Sequence, residues 1–404
     1  MIAATSEVAA AAGPLTHRVL RTWDEARPML AEWDELAKRT GADIYLSPIH
    51  AETWWKHYGR GRLVIVECRE GERLVGVLPF FIATVFAGIL PVRLGRLLTS
   101  DSTIVVLSPP IEPSHARACW AGAIRAVADA GADVVAICPL SGEDGRADDV
   151  KAAIADAGLR LFREHSPAPH TVYNLPESMD AYFASLDKKV RGNMKRPKRN
   201  LEESGKFEVR VATDADACAA FERFVRFHTE RWQADGQPGH FGDWPGSAAY
   251  NADLVRQHAA RGEVLIFELI LDGELVGSEF AFFYGSRAFD RLPARVTGEK
   301  WDKVGLGSVI QLVLFESMLA RGVRRAETGP GHYPYKLRAG GTEFPLSFFV
   351  ACRRSAFSAL KTRALLGWSV LLQYGYYRGW RARVLPRLGR MPGSLWRSWI
   401  RTRL

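Results

Sequence analysis

Two stretches about 200 residues apart carry the same hairpin-forming pattern, which points to a fold built twice. RLVIVECREGERLVGVLPFF (Arg62–Phe81) is two β-rich runs around a turn at Glu70-Gly71, and EVLIFELILDGELVGSEFAFF (Glu263–Phe283) turns at Asp272-Gly273. An acidic residue followed by glycine between apolar, β-branched runs favours a tight hairpin, because glycine takes positive φ without steric cost. Both hairpins have Leu-Val-Gly just past the turn and both end in Phe-Phe. The surroundings repeat as well. Helical periodicity precedes each hairpin (Trp23–Thr40 and Ala51–Tyr58; Ala215–Gln233 and Ala248–Arg261), and a helix then a strand follows (Ala116–Ala130, Asp133–Cys138; Gly307–Arg321, Val323–Thr328). A period of half the chain predicts duplicated domains rather than a solenoid. The expected class is α/β (α+β), each domain a mixed, mainly antiparallel twisted sheet flanked by helices. SPAPHTVYNLP (Ser166–Pro176), rich in proline and turn formers, reads as the linker.

Length and composition agree with two cores: 404 residues, 47% hydrophobic and 25% charged. Five cysteines are scattered without a C-x-x-C pair, which argues against a disulfide framework or zinc site and for a reducing cytoplasm. Residues 1–15 have no basic start and no sustained apolar run, and read as a disordered leader rather than a signal peptide. The net charge of +9 is unevenly placed. Pro345–Leu404 holds twelve Lys or Arg and no acidic residue, and the rest of the chain sums to −3. A general attraction to nucleic acid is therefore weak, and the basic character belongs to the tail.

Five places carry candidate chemistry. Gly305-Leu306-Gly307-Ser308 opens a long apolar helix, where free N–H groups and the helix dipole favour an anion and glycine lets a ligand approach the backbone. Glu279 is a carboxylate inside an apolar strand, a setting that raises its pKa and suits a general base, or else a solvent-facing strand residue. Gly329-Pro330-Gly331-His332-Tyr333-Pro334-Tyr335-Lys336 lies at a strand's C-terminal end, where α/β sites open, and presents His332, Tyr335 and Lys336 together, or forms a rigid structural loop. Seven cations fall within Lys188–Arg199, a run that Pro197 is expected to interrupt; the plain reading is a solvated surface. His228, Arg231 and Trp232 share one face of a helix, as acceptor contacts or as a core edge. No metal site is expected.

SLDKKVRGNMKRPKRNLEESG (Ser185–Gly205), DGELVGSEFAFFYGSRAFD (Asp272–Asp290), VGLGSVIQLVLFESMLARG (Val304–Gly322) and ETGPGHYPYKLRAGG (Glu327–Gly341), in that order, resemble the GNAT superfamily. The resemblance is to two-domain acetyltransferase-like proteins associated with bacterial cellulose biosynthesis, themselves similar to FemAB-type transferases. It implies two tandem GNAT-like domains: a degenerate one over residues 16–170 and a donor-binding one over 171–354, followed by a basic, aromatic, helical tail over 355–404. It assigns the pyrophosphate of an acyl-CoA, acetyl-CoA above all, to Val304, Gly305, Leu306, Gly307 and Ser308. The strand bearing Phe280 and Ala281 would splay and line the pantetheine arm. Glu279 would act as base, Tyr335 would protonate the departing thiolate, and His332 would be an alternative base. Arg191, Asn193, His228, Arg231 and Lys336 would touch substrate. Where the family's glycine motif begins with Arg or Gln, this chain has Asp302, which repels phosphate.

The implied activity is acyl transfer from acyl-CoA to an amine or hydroxyl, on a small-molecule or glycan- or lipid-linked acceptor. The alternatives are an aminoacyl-tRNA-dependent transferase, served by the Lys188–Arg199 run, and a non-catalytic accessory protein of a membrane polysaccharide complex. The first half has no glycine turn before its helix near Ser114-His115-Ala116, so donor binding is expected only in the second. The tail suits either an interfacial helix on anionic lipid or a helix covering one domain. The expected location is cytoplasmic, with peripheral contact on the inner face of the membrane.

Overall fold

Asp272 and Gly273 both adopt positive φ, 52° and 86°, as a type I′ hairpin turn requires. Gly71 has φ 59° in the corresponding turn of the first half. The computed structural model describes residues 14–102, 104–143, 146–234, 239–243, 246–384, 387 and 394–404. The expected leader lies outside the described residues as far as residue 13.

The strands are β1 (Leu15–Leu20), β2 (Arg62–Glu70), β3 (Arg73–Ala87), β4 (Leu90–Leu97), β5 (Val134–Ser141), β6 (Arg160–His165), β7 (Pro169–Asn174), β8 (Phe207–Val211), β9 (Val264–Leu271), β10 (Glu274–Tyr284), β11 (Arg287–Arg295), β12 (Arg325–Pro330) and β13 (Thr342–Cys352). They form one continuous sheet in the order β1-β2-β3-β4-β5-β13-β7-β12-β11-β10-β9-β8, with β6 also on β13. Every named pairing is antiparallel except β4 with β5 and β11 with β12. Each half thus has four antiparallel strands and a parallel fifth, reached through a helix (Ala116–Asp129 or Leu306–Ala320). The fold is the expected mixed sheet, laid down twice.

Ser166–Pro176 is not a free linker. Its centre is β7, hydrogen-bonded to β12 on one side and β13 on the other. Pro169 stands at the strand's first position, where a missing N–H does little harm, and Pro176 lies beyond its end. The expected boundary at 170/171 falls inside this strand, while β13 joins the sheets of both halves through β5 and β7.

The largest core crosses between the halves, joining Trp33, Trp54, Phe80 and Phe81 of the first to Phe224, Phe280, Phe282 and Phe289 of the second. Polar contacts follow the same seam. His50 Nδ1 lies 2.9 Å from His258 Nε2, and Lys38 reaches Glu263 at 2.9 Å. Asp253 takes His57 at 2.6 Å and Lys56 at 2.9 Å. A second core lies on the other face of β10, where alternation turns Ala281 and Phe283 towards Leu306, Val313 and Phe315 of the Leu306–Ala320 helix.

Pro197 does not interrupt its helix, which runs from Lys188 to Ser204. The buried proline packs where the Leu306 helix begins: a Cβ on Gly305 would lie 3.0 Å from Pro197 Cγ. In the tail, helix Ala356–Leu371 continues through a π-helical stretch, Leu372–Arg381, and helix Ser394–Arg401 folds back. Tyr377 and Trp399 stack at 4.0 Å, and Arg401 pairs with buried Asp101 of the first half at 3.2 Å. Among the described residues no helix is long and apolar enough to cross a membrane.

Candidate functional site

β11 and β12 pair only over Arg287–Phe289 and Arg325–Glu327, then separate. In the gap lies a cavity of about 540 Å3, within the range of small-molecule and cofactor sites. Its walls come from β10, β11 and β12, the start of the Leu306 helix, and Arg231 and Trp232 of the helix Ala217–Ala234. The first half has the same divergence, since β4 and β5 pair only over Leu94–Arg96 and Val134–Ala136. There the chain fills its own gap: Leu107 N–H donates to Pro139 O at 2.8 Å, and Ser141 N–H to Leu107 O at 2.9 Å.

The helix start is built to stay open. Gly305 sits at φ 82°, in the left-handed region that glycine tolerates best, and no side chain caps the helix. A Cβ added at Gly307 would meet nothing within 4 Å, so the backbone there can be approached closely. Gly305, Leu306, Gly307 and Ser308 all line the cavity. Asp302 also lines it, but its carboxylate pairs with Arg295 at 3.3 Å, which offsets the repulsion expected of an acid there. These residues fit an anionic, phosphate-bearing group.

Deeper in, Glu279 of β10 and Asp290 of β11 share the cavity wall. Ala281 is the ladder partner of Asp290, so the two acids stand one diagonal step apart. Complete burial, then the charge of Asp290 and a hydrogen bond with it, hold the Glu279 carboxyl well above the usual range. Glu279 Oε1 is buried without a hydrogen-bond partner.

Lys336 and Tyr335 complete the group. Their short helix, Pro334–Arg338, is held from below: Tyr173 Oη donates to Lys336 O at 3.2 Å, and Tyr182 Oη to Ala339 O at 2.9 Å. Lys336 Nζ donates to Thr328 O at 2.6 Å; burial lowers its pKa, while Asp290 and Glu279 act in the opposite direction. Tyr335 lines the cavity yet remains 54% exposed, and burial of its inner part pushes the phenol up to about 12.

The structure thus gathers Glu279, Tyr335, Lys336, Arg231 and Gly305–Ser308 at one cavity, and leaves other expected residues off its walls. Phe280 and Ala281 are buried in the two cores because β10 is paired on both sides; the strand that splays is β11. Val304 packs beside the second core. His332 is exposed and bonds Glu343 at 2.9 Å. His228 is buried, lies 3.2 Å from His240, and is pushed down to about 3 by burial. Arg191 reaches the Phe183 carbonyl at 3.5 Å, and Asn193 accepts from Arg196 at 3.0 Å. Asp290 and Arg295 also line the cavity; in the sequence Asp290, with Arg287 and Arg291, reads either as lining an acceptor cleft or as a charged strand end, and Arg295 carries no such signal.

Residues 188–337 match the family model of an acetyltransferase (GNAT) domain. No curated protein matches the chain in sequence. The fold is similar to that of FemX (TM-score 0.58, 12% identity, covering 79% of this chain and 95% of that one). It is also similar to the C-terminal domain of a putative lysylphosphatidylglycerol synthetase from Agrobacterium fabrum (TM-score 0.51, 12% identity, 85% and 97%). A conserved protein of unknown function from Bacteroides thetaiotaomicron gives TM-score 0.51 at 12% identity, with 80% and 97% covered.

Proposed function

We propose that this chain transfers an acyl group from an acyl-CoA, acetyl-CoA in the first instance, to an amine or hydroxyl acceptor. One observation carries the proposal: a single cavity joins an uncapped, glycine-lined helix start to a carboxyl pair, Glu279 buried and Asp290 half-buried. Main-chain N–H groups of Leu306 and Gly307, with the helix dipole, suit a pyrophosphate, and the separation of β11 from β12 leaves strand edge for an extended arm. The donor would supply the activated thioester.

The Glu279–Asp290 pair takes the proton from the attacking nitrogen or oxygen. The new bond forms to the acyl carbon as the carbon–sulfur bond breaks, and Tyr335 O–H donates to the departing sulfur. Lys336, fixed on Thr328 O, keeps the buried charge near balance. Holding donor and acceptor in one cavity supplies much of the rate. The acceptor belongs, on this reading, to polysaccharide or cell-envelope synthesis, as the sequence resemblance implies.

One observation favours a second donor. The basic helix Lys188–Ser204 packs through Pro197 on Gly305, which places a cation-rich element beside the cavity's helix start, as an aminoacyl-tRNA would require. Thermal-shift titration with acetyl-CoA and with charged tRNA separates the two. Stabilisation by acetyl-CoA, followed by a mass shift of an added amine or hydroxyl acceptor, supports the acyl-CoA reading. Stabilisation by charged tRNA alone transfers the site to the second, and response to neither removes both.

A further inference from the structure

The tail's first helix has two unlike faces. Ala359, Thr362, Leu365, Ser369 and Leu372 are buried. On the other side, Phe357 and Leu360 at one end and Val370, Leu371 and Tyr374 about three turns further on are between 48 and 61% exposed, with Arg363 and Gly367 exposed between them. This face continues from Ala356–Leu371 into Leu372–Arg381, a run of roughly 35–40 Å at helical rise. Exposed Arg363 and Arg378 lie along it, the latter's guanidinium 5.1 Å from the Tyr374 ring centroid. Large apolar side chains left exposed in two groups along one helical face mark a surface for something else.

Charge identifies the occupant. No acidic residue occurs from Pro345 to Leu404, while twelve cations do. A second copy seated on this face in two-fold fashion would bring the cationic tails together with no acidic residue on either tail to offset them. An anionic lipid surface instead takes the apolar side chains into its acyl boundary and the guanidinium groups among its headgroups. Since no described helix can span a bilayer, the contact is in the plane of the surface. We propose that the face carrying Phe357, Leu360, Leu371 and Tyr374 seats the protein flat on an anionic membrane. This rests on the tail alone and stands apart from the catalytic reading.

The test is co-sedimentation of the full chain with phosphatidylcholine vesicles, with and without about 30 mol% phosphatidylglycerol. The expected result is binding only to the anionic vesicles, weakened about tenfold or more by raised salt or by Leu360→Gln/Leu371→Gln, both exposed positions. Arg363→Glu/Arg378→Glu should weaken binding likewise, with the melting temperature of each variant unchanged. Equal binding to neutral vesicles, no binding, or binding that both variants retain would overturn the proposal. So would a dimer in solution that Leu360→Gln/Leu371→Gln dissociates, which would assign this face to a second copy.

Discussion

Glu279 and Asp290 stand one diagonal step apart on neighbouring strands, and burial, with the charge of Asp290, raises the Glu279 carboxyl well above its ordinary range. On the proposed mechanism this pair is the basic group of the cavity. Asp290→Asn should lower kcat/KM about 100-fold or more, while the dissociation constant for acetyl-CoA stays within about threefold. Steady-state kinetics with calorimetry on the same samples separates these effects.

The same pair makes stability pH-dependent. An unfolded Glu279 releases its proton near 4.5, whereas the folded one keeps it to much higher pH. The native state binds the extra proton in that window, so stability falls as pH rises through it. Glu279→Gln, which mimics the protonated carboxyl, should flatten the decline in melting temperature between about pH 5 and pH 8. Parallel curves for wild type and variant would show that Glu279 is ionised in the folded protein.

On the proposed mechanism Tyr335 acts only as sulfur departs. Tyr335→Phe should lower kcat about tenfold and leave KM within about twofold, a pattern expected when an interaction forms in the transition state alone. The half-exposed ring makes a folding defect a poor explanation for such a loss.

Asp253 ties the halves through His57 and Lys56, whose hydrogen bonds hold its carboxyl below the ordinary carboxylate range. A depressed folded pKa gives stability that is complete above the unfolded value of 3.8 and is lost as pH falls below it. Asp253→Asn should destabilise by roughly 1–2 kcal/mol at neutral pH in urea unfolding, and the difference should shrink in acid. Because one core crosses the seam, both halves should unfold in a single transition.

Elements with a local signature were legible in the sequence. Asp272-Gly273 announced its hairpin, and Gly305–Ser308 its helix start, because turn and cap chemistry reside in neighbouring residues. Glu279 stood out as a charge in an apolar strand. Pairing between distant segments was not legible: SPAPHTVYNLP has linker composition, yet β12 and β13 flank its centre and make it a strand. Pro197 misled for a related reason, since its packing on Gly305 is a tertiary fact. Phe280 and Ala281 do not lie on the splaying strand, because it is β11 rather than β10 that loses its neighbour, a long-range pairing that the residues themselves do not reveal. Asp290 gains its role from facing Glu279, which no inspection of either strand alone supplies.

The central claim is that the backbone at the start of the Leu306–Ala320 helix holds the donor's phosphates. Gly307→Glu tests it, because the new side chain has open space around its Cβ and an acid in a helix's first turn is favourable to folding. Calorimetric titration with acetyl-CoA should show a dissociation constant raised more than about tenfold, with the melting temperature of the free protein unchanged or slightly higher. Equal affinity in wild type and variant would contradict the account.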